Sequence, residues 1–380
     1  MNFEREKQRG IGMIRLKAIS EEFLIFGDYL FSSPIGSGHI NDTFISTYNQ
    51  AGHRLSYIFQ RINTTVFKNP EELMNNISRV TKHLRKKYAK RKDSSRRTLT
   101  VVPTRDGKEY FKDVNGKYWR CYLYVERTLS YDILESADQA YKAARAFAEF
   151  QRLLCDLPGP KLHETITDFH NTPVRMQAFD RAVAENSENR LKDVADEIAF
   201  VNQFRPCVSR LVDLGREGKI PERIIHNDAK LNNVMLDDIT NEGICVVDLD
   251  TVMPGFSLYD FGDLIRTSIS PAAEDEADLS QVSIRMDVFE ATVRGFIEGY
   301  QGKLNDTEIE NLTFSGILIT FENGLRFLTD YLSGDVYFKT RYPEHNLVRA
   351  RNQFKLVREM LEHQEELQRI VMQIKEDCKL

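Results

Sequence analysis

The pattern of apolar residues changes near residue 126, and this change constrains the fold more than any other feature of the sequence. Before it, four β-rich runs, residues 33–47, 54–63, 99–104 and 119–126, are separated by Gly, Asn and Asp residues that favour turns. After it, apolar residues recur at helical spacing through most of the remaining chain. The sequence therefore predicts an α+β fold in which a small sheet-rich lobe precedes a larger helical lobe.

Helix signals occur on both sides of this change. Residues 69–85 begin with Pro70 and then place apolar residues at helical spacing, so one helix is predicted within the sheet-rich part. Ser136 is followed three residues later by Gln, a capping-box signature that begins the helical part. We therefore expect residues 1–126 to form the N-terminal lobe and residues 127–380 to form the C-terminal lobe.

The composition argues against several classes of protein. Apolar residues make up 41% and charged residues 29% of the chain, as in ordinary globular domains. The net charge of −5 gives no overall attraction for nucleic acid or anionic lipid, and the basic run at residues 82–97 is typical of a solvated surface. The five cysteines include no C-x-x-C pair. With no membrane-spanning run or signal-peptide core, we expect a monomeric, cytoplasmic protein without nucleic-acid or membrane partners.

Residues 223–250 carry the motif that best indicates a reaction. An apolar strand enters a polar loop, and a second short apolar strand ends on an aspartate. Asp228 follows His226 by two residues and Asn233 follows Asp228 by five, which is the H-x-D-x-x-x-x-N spacing of the kinase catalytic loop. Phosphoryl transfer requires a carboxylate that accepts the proton of the attacking hydroxyl and oxygen ligands for Mg²⁺. The motif therefore predicts a kinase.

This spacing suggests a role for each polar residue of the stretch. Asp228 would be the base that orients and deprotonates the acceptor hydroxyl, and Lys230 would contact the γ-phosphate. Asn233 and Asp248 would bind Mg²⁺, and Asp250 would assist the metal or the substrate. The alternative, a polar turn whose Asp and Asn residues serve turn geometry, does not explain the complete pattern.

Two neighbouring residues are expected to brace the loop. His226 is a lone histidine, which favours hydrogen bonding to the backbone over proton transfer. Asp260 begins the letters D-F-G, but it follows Pro254 and Gly255 and opens a helical stretch. Capping or loop bracing is therefore a better role for Asp260 than metal binding.

Two upstream segments are expected to bind ATP. Gly36, Ser37 and Gly38 lie in a predicted hairpin where backbone amides could approach phosphate oxygens, although an ordinary hairpin turn is an equal alternative. The strand at residues 57–61 stands where kinases place a lysine but offers Gln60 and Arg61 instead. Strand alternation sends these two side chains to opposite faces, so only one of them can reach the phosphates.

The run that ends at Glu126 would be the hinge between the lobes. It reads Y-L-Y-V-E from Tyr122, and in a kinase such a run pairs its backbone with adenine. The N-terminal lobe is therefore expected to bind the nucleotide, and the C-terminal lobe is expected to hold the catalytic loop and the substrate pocket.

Several motifs together resemble the aminoglycoside phosphotransferase-like kinases. They are H-N-D-A-K-L-N-N from His226, V-V-D-L-D-T-V-M-P-G from Val246 and Y-D-F-G-D-L-I-R from Tyr259. G-S-G-H-I-N-D-T-F from Gly36 and Y-P-E-H-N-L-V-R from Tyr342 extend the resemblance over nearly the whole chain, toward members that act on free N-acetylhexosamines. The resemblance implies a protein-kinase-like fold with two lobes.

The resemblance also implies an activity. ATP, with Mg²⁺, would phosphorylate the C1 hydroxyl of N-acetylglucosamine or N-acetylgalactosamine to give the sugar 1-phosphate and ADP. It implies that the C1 hydroxyl faces Asp228 and that Arg326 and Tyr337 line the sugar pocket, which suits a guanidinium fork and a phenol. The alternative roles of Arg326 and Tyr337 are a structural ion pair and a core tyrosine.

Two other functions are compatible with the motifs. One is a kinase of the same fold that acts on choline, homoserine, methylthioribose or an aminoglycoside. The other is a nucleotide-binding pseudokinase, which the missing strand lysine would suggest. The presence of Asp228, Asn233 and Asp248 argues against the pseudokinase.

Overall fold

The computed structural model describes residues 16–35, 40–131 and 134–378. Gly36, Ser37 and Gly38, which the sequence predicts to contact phosphate, lie outside the described residues. By its internal contacts the chain divides into two compact units. The first extends to residue 128 and includes residues 163–166, and the second comprises residues 129–162 and 167–380.

The first unit is built on an antiparallel sheet. Its strands follow the order β1-β2-β3-β6-β4, and β5 pairs with β6. Their bounds are β1 (Asp28–Pro34), β2 (Asp42–Gln50), β3 (His53–Arg61), β4 (Val101–Val102), β5 (Phe111–Lys112) and β6 (Tyr118–Leu123). Ala51 and Gly52 connect β2 to β3 with φ values of 51° and 89°, the positive values that a tight hairpin needs.

The core of this unit lies on one face of the sheet, as strand alternation requires. Tyr57 and Phe59 of β3 are buried together with Trp119 and Cys121 of β6. Helix α1 (Pro70–Tyr88) has Pro70 in its first turn, and its buried residues include Leu73, Ile77, Val80 and Leu84. The predicted sheet-rich part with one long helix is therefore confirmed.

The second unit is mainly helical. Its helices are α2 (Ala137–Leu154), α3 (Thr172–Glu185), α4 (Ala195–Phe204), α5 (Arg210–Arg216), α6 (Ser257–Ser268), α7 (Met286–Tyr300), α8 (Asp306–Glu310), α9 (Leu312–Leu332), α10 (His345–Glu362) and α11 (Gln364–Asp377). The hydroxyl of Ser136 accepts the backbone N–H of Gln139 at 3.3 Å, so the predicted cap of α2 is confirmed. Helix α9 is buried along nearly its whole length, and α3, α6 and α10 pack against it.

Short strands place the polar loop of the second unit. Strand β8 (Arg223–Ile225) pairs antiparallel with β11 (Met253–Gly255), and between them β9 (Val234–Asp237) pairs antiparallel with β10 (Gly243–Val246). A two-residue strand, β7 (Thr128–Leu129), stands at the junction of the two units along the chain. Among the described residues, no helix is both long and apolar enough to span a membrane. The order of a sheet-rich part followed by a larger helical part confirms the predicted α+β class.

Candidate active site

The two strand pairs bring the predicted catalytic residues into one loop region. The β8–β11 pair closes the base of the region, where Ile225 lies opposite Met253. The backbone N–H of Val247 donates to the carbonyl of Asn233 at 2.9 Å. This bond ties the end of β10, directly before Asp248, to the loop that carries Asp228.

The carboxylate of Asp228 contacts two polar side chains, those of Asn233 and Lys230. The amide nitrogen of Asn233 donates to the Asp228 carbonyl at 2.8 Å and to its carboxylate at 3.0 Å. The ammonium of Lys230 lies 3.1 Å from the same carboxylate oxygen, Oδ2. The Asp228 side chain is 27% exposed, so it is sheltered yet accessible.

Asp228 and Lys230 each stabilise the charged form of the other. Burial alone would raise the pKa of Asp228, but the positive charge of Lys230, helped by His226, lowers the pKa below its usual value. The charge of Asp228 raises the pKa of Lys230, and Asp248 adds to this effect. Asp228 is therefore a carboxylate and Lys230 an ammonium at neutral pH, which suits a base next to a phosphate-binding cation.

His226 and Asp260 hold the loop, as the sequence predicts. The Nε2 atom of His226 donates to the carbonyl of Val247 at 2.8 Å, and its Nδ1 atom accepts the backbone N–H of Asp228 at 3.3 Å. Asp260 lies in the first turn of α6 and is fully buried. Its carboxylate accepts the backbone N–H groups of His226 at 2.8 Å and of Asn227 at 2.6 Å. The bracing role of Asp260 is confirmed.

Two residues of this region have the left-handed backbone conformation, which is uncommon outside glycine. Asn227 has a φ of 64° and Asp248 a φ of 57°. Asn and Asp tolerate this conformation better than most residues, and such strain is found at functional sites when the surroundings enforce it. The side-chain amide of Asn227 donates to the carbonyl of Thr251 at 3.0 Å, which fixes the loop before Asp228.

The oxygen atoms of the loop suit Mg²⁺. Because the amide nitrogen of Asn233 donates to Asp228, the amide oxygen of Asn233 points away from that carboxylate, as a metal ligand requires. Asp248 is exposed, whereas Asp250 is only 2% exposed. Within residues 16–35, 40–131 and 134–378, no cluster of three or more His, Cys, Asp or Glu side chains could hold a metal. Mg²⁺ needs fewer protein ligands than that, since phosphates and water complete its shell.

Arg326 and Tyr337 contact the same aromatic ring. The guanidinium of Arg326 lies 5.5 Å from the centre of the Phe338 ring and 5.2 Å from that of Phe169. The Tyr337 ring meets Phe338 edge-on at 4.8 Å. Tyr337 is 56% exposed and is therefore not a core tyrosine. Arg326 forms no ion pair within the described part of the chain, so a structural ion pair is also wrong.

A second arginine lies near this pair. Burial and then the charge of Arg326 lower the pKa of Arg175, and the two Arg175 N–H groups donate to the carbonyl of Phe169 at 3.3 and 2.8 Å. Two arginines therefore lie near Phe169, and the charge of Glu322 acts on the pKa of Arg175 in the opposite direction.

The position of Tyr337 depends on Asp330, to which the sequence analysis assigns no role. Asp330, near the end of α9, accepts the backbone N–H groups of Val336 at 3.0 Å, Tyr337 at 2.8 Å and Phe338 at 2.9 Å. These three contacts go to backbone atoms, which no side-chain pattern indicates, and the Asp330 carboxylate also accepts the side-chain amide of Asn346 at 2.9 Å. We call residues 333–338, which follow α9, the 333–338 loop.

In the first unit, the predicted nucleotide contacts take part in the sheet. The Gln60 side chain donates to Thr43 at 3.1 Å and accepts from Arg120 at 2.9 Å, and Arg61 donates to Asp42 through its Nε atom at 2.7 Å. Arg120 lies opposite Gln60 in the register of β3 and β6 and is 1% exposed. No sequence motif indicates this buried arginine.

Glu126 follows β6 and is exposed. Its backbone carbonyl accepts Nε of Arg96 at 3.1 Å.

Comparisons with known proteins show the family and the fold of the chain. A family model described as the phosphotransferase enzyme family matches residues 32–288. The chain is similar to the crystal structure of spectinomycin phosphotransferase in complex with ADP and spectinomycin, with 14% identity, a TM-score of 0.56, and coverage of 93% of this chain and 98% of that one.

Two further solved structures are similar over most of their length. Choline kinase from Cryptosporidium parvum has 12% identity and a TM-score of 0.57, covering 92% of this chain and 96% of that one. Plasmodium vivax ethanolamine kinase has 13% identity and a TM-score of 0.52, covering 85% and 81%. At these identities the similarity concerns the fold, and the predicted protein-kinase-like fold is confirmed.

Proposed function

Because this chain belongs to the phosphotransferase enzyme family, we propose that it is an N-acetylhexosamine 1-kinase, which transfers the γ-phosphoryl group of ATP to the C1 hydroxyl of the sugar. One observation carries the proposal. The Asp228 carboxylate contacts the ammonium of Lys230 at 3.1 Å and the amide of Asn233 at 3.0 Å. This arrangement suits a base that orients a hydroxyl beside a phosphate-binding cation.

In the proposed reaction, Asp228 accepts the proton of the C1 hydroxyl while the hydroxyl oxygen forms a bond to the γ-phosphorus. The bond from the γ-phosphorus to the β-γ bridging oxygen breaks, and ADP leaves. Lys230 offsets negative charge on the γ-phosphoryl oxygens. Bound Mg²⁺ supplies charge neutralisation at the β- and γ-phosphates, and Asn233 and Asp248 are the residues that would hold it, assisted by Asp250.

The proposed nucleotide contacts are those that the sequence motifs predict. We propose that the backbone amides of Gly36, Ser37 and Gly38 bind the phosphates and that Gln60 adds a polar contact. Glu126, after β6, would contribute its backbone to the adenine. Each of these contacts is a proposal from the order of the motifs along the chain.

The hydrogen-bond donors beside Phe338 support a neutral, oxygen-rich acceptor. Arg326 and Tyr337 can donate hydrogen bonds to sugar hydroxyls and to an acetamide carbonyl. A choline or ethanolamine pocket would use the faces of its aromatic rings for an ammonium group. Here the guanidinium of Arg326 is within 5.5 Å of the centres of both Phe169 and Phe338, and its charge would repel such an ammonium. The same charge opposes a polycationic aminoglycoside.

A panel of acceptors tests the proposal. The purified protein is incubated with ATP, Mg²⁺ and one acceptor at a time: N-acetylglucosamine, N-acetylgalactosamine, glucose, choline, ethanolamine or an aminoglycoside. Release of ADP is measured, and the product is identified by phosphorus NMR. We expect turnover with the N-acetylhexosamines and an anomeric phosphate. A phosphate at C6, or on a substrate that is not a sugar, would overturn the assignment.

A further inference from the structure

A buried histidine and a buried glutamate connect the catalytic loop to helix α9. The Nε2 atom of His170 lies 2.9 Å from the carbonyl oxygen of Asn227, and its Nδ1 atom lies 2.7 Å from Oε1 of Glu322. The second oxygen of Glu322 accepts the hydroxyl of Thr172 at 2.6 Å. The side chains of His170 and Glu322 are 2% and 0% exposed.

The hydrogen-bond partners determine the protonation of this pair. The carbonyl of Asn227 can only accept, so Nε2 of His170 carries a proton. An ionised Glu322 that already accepts from Thr172 also accepts from Nδ1, so the ring carries both protons. Burial would lower the pKa of His170, but the charge and hydrogen bond of Glu322, together with the Asn227 carbonyl and the charge of Asp263, outweigh burial and raise it. Burial likewise opposes ionisation of Glu322, and the charge of His170 lowers its pKa.

The other groups that face His170 favour its positive charge. The carboxylate of Asp263, on α6, raises the pKa of His170, and the charge of His170 opposes the burial that raises the pKa of Asp260. The Tyr259 ring lies 5.2 Å from the imidazole and carries no charge at neutral pH, since burial raises its pKa. The imidazolium thus stands between carboxylates of two helices, α6 and α9.

The peptide that this pair holds is the one directly before the base. Asp260 binds the N–H side of that backbone, at His226 and Asn227. His170 binds the opposite side, at the Asn227 carbonyl. The left-handed Asn227 is therefore held from both sides, which explains how its φ of 64° is maintained.

We propose that His170 and Glu322 are positioning residues that fix Asp228 relative to the turn of α9 that carries Arg326. Arg326 is one helical turn after Glu322, so a single carboxylate is joined to both the catalytic loop and the proposed acceptor residues. The proposal rests on the proposed function in one respect, that Asp228 is the base. It assigns no substrate contact to His170 or Glu322.

Kinetics of three variants test the positioning role. His170→Ala removes the donor to Asn227, and we expect kcat to fall by about 100-fold, the loss typical of a displaced catalytic group. His170→Gln keeps a side-chain amide that can donate to the carbonyl, so it should recover part of this loss. Glu322→Gln should lower kcat and also raise KM for the sugar, because Arg326 follows it on α9. KM for ATP should stay within about twofold of the original value.

A core variant controls for instability. Val371→Ala, in α11, removes buried volume without contacting the loop and should lower the melting temperature while preserving kcat. If His170→Ala and Glu322→Gln also keep their kcat, or if His170→Gln is no more active than His170→Ala, the positioning role is wrong.

Nitrogen-15 NMR of the histidine ring tests the pair without any substrate. In the full chain labelled with ¹⁵N-histidine, we expect both ring nitrogens of His170 to stay protonated above pH 6.5, the pKa of an ordinary histidine. Glu322→Gln should abolish this signal. A ring with one protonated nitrogen at pH 6 would overturn the proposal. Failure of the sugar assay with intact imidazolium signals would contradict only the proposed function.

Discussion

The catalytic loop and the 333–338 loop are built in the same way but held differently. In each, a buried aspartate on a helix accepts hydrogen bonds from backbone N–H groups. Asp260 binds two of them before the base, and Asp330 binds three around Tyr337. In addition, His170 holds the catalytic loop from its carbonyl side, at Asn227, whereas Arg190 and Asn346 hold the 333–338 loop through the Asp335 side chain. The backbone before Asp228, the proposed base, is therefore fixed from both its N–H and its carbonyl side, whereas the backbone of the 333–338 loop is fixed through its N–H groups.

The largest expected effect lies in the catalytic loop itself. Asp248→Ala removes a proposed Mg²⁺ ligand, and we expect kcat to fall by about 1000-fold or more, because the metal offsets phosphate charge in the transition state. The measurement is ADP release across a range of Mg²⁺ concentrations. Asp238→Ala changes an exposed aspartate near the β9–β10 turn and serves as the control. A nearly active Asp248→Ala variant would show that the metal assignment is wrong.

The next variant tests the hydrogen bonds that Asp260 accepts from the backbone N–H groups of the catalytic loop. Asp260→Ala leaves the N–H groups of His226 and Asn227 without their acceptor, so we expect kcat to fall by about 100-fold through displacement of Asp228. KM for the sugar should change little. Steady-state kinetics at equal folded fraction, with Val371→Ala as the stability control, give the comparison. A change confined to KM would contradict the division between the two loops.

A change that loosens the 333–338 loop should affect KM for the sugar more than kcat. Asp330→Ala removes the acceptor of three N–H groups and lets Tyr337 move, so we expect KM for the sugar to rise by about tenfold while kcat changes less. Asp180→Ala, which removes an exposed carboxylate paired with Arg205, is the control and should change neither constant. A kcat loss as large as that of Asp260→Ala would show that the two loops are not distinct.

The smallest expected effect is the pH dependence of the contribution that Asp260 makes to the free energy of unfolding. Burial raises the pKa of Asp260 to about 6, although the hydrogen bonds from the backbone N–H groups of His226 and Asn227 oppose this. An unfolded aspartate has a pKa of about 3.9, so the folded chain holds more protons between these values, and the stability contributed by Asp260 declines as pH rises through this window. Urea unfolding at pH 4.5 and 7 should show that the advantage of the original chain over Asp260→Asn is smaller at pH 7. An advantage that grows with pH would contradict this.

The sequence predicted what depends on residues close together in the chain. His226, Asp228 and Asn233 lie within one loop, so their spacing alone indicated their geometry. Asp260 was also identified, because it opens a helical stretch. His170 and Glu322 were missed, because their contact joins positions 152 residues apart and neither residue belongs to a motif. Asp330 received no role because its contacts with the 333–338 loop go to backbone N–H groups, which leave no pattern in the side chains, and its side-chain partner Asn346 is 16 residues away.

We propose that the protein transfers the γ-phosphoryl group of ATP to the C1 oxygen of an N-acetylhexosamine, with Asp228 as the base. Two-dimensional phosphorus–proton NMR of the product made from ATP and N-acetylglucosamine tests it most directly, with Asp228→Asn protein as the blank. We predict that the product phosphorus couples to the anomeric proton and that the blank gives no product. Coupling to the C6 protons, or the same product from Asp228→Asn, would contradict the claim.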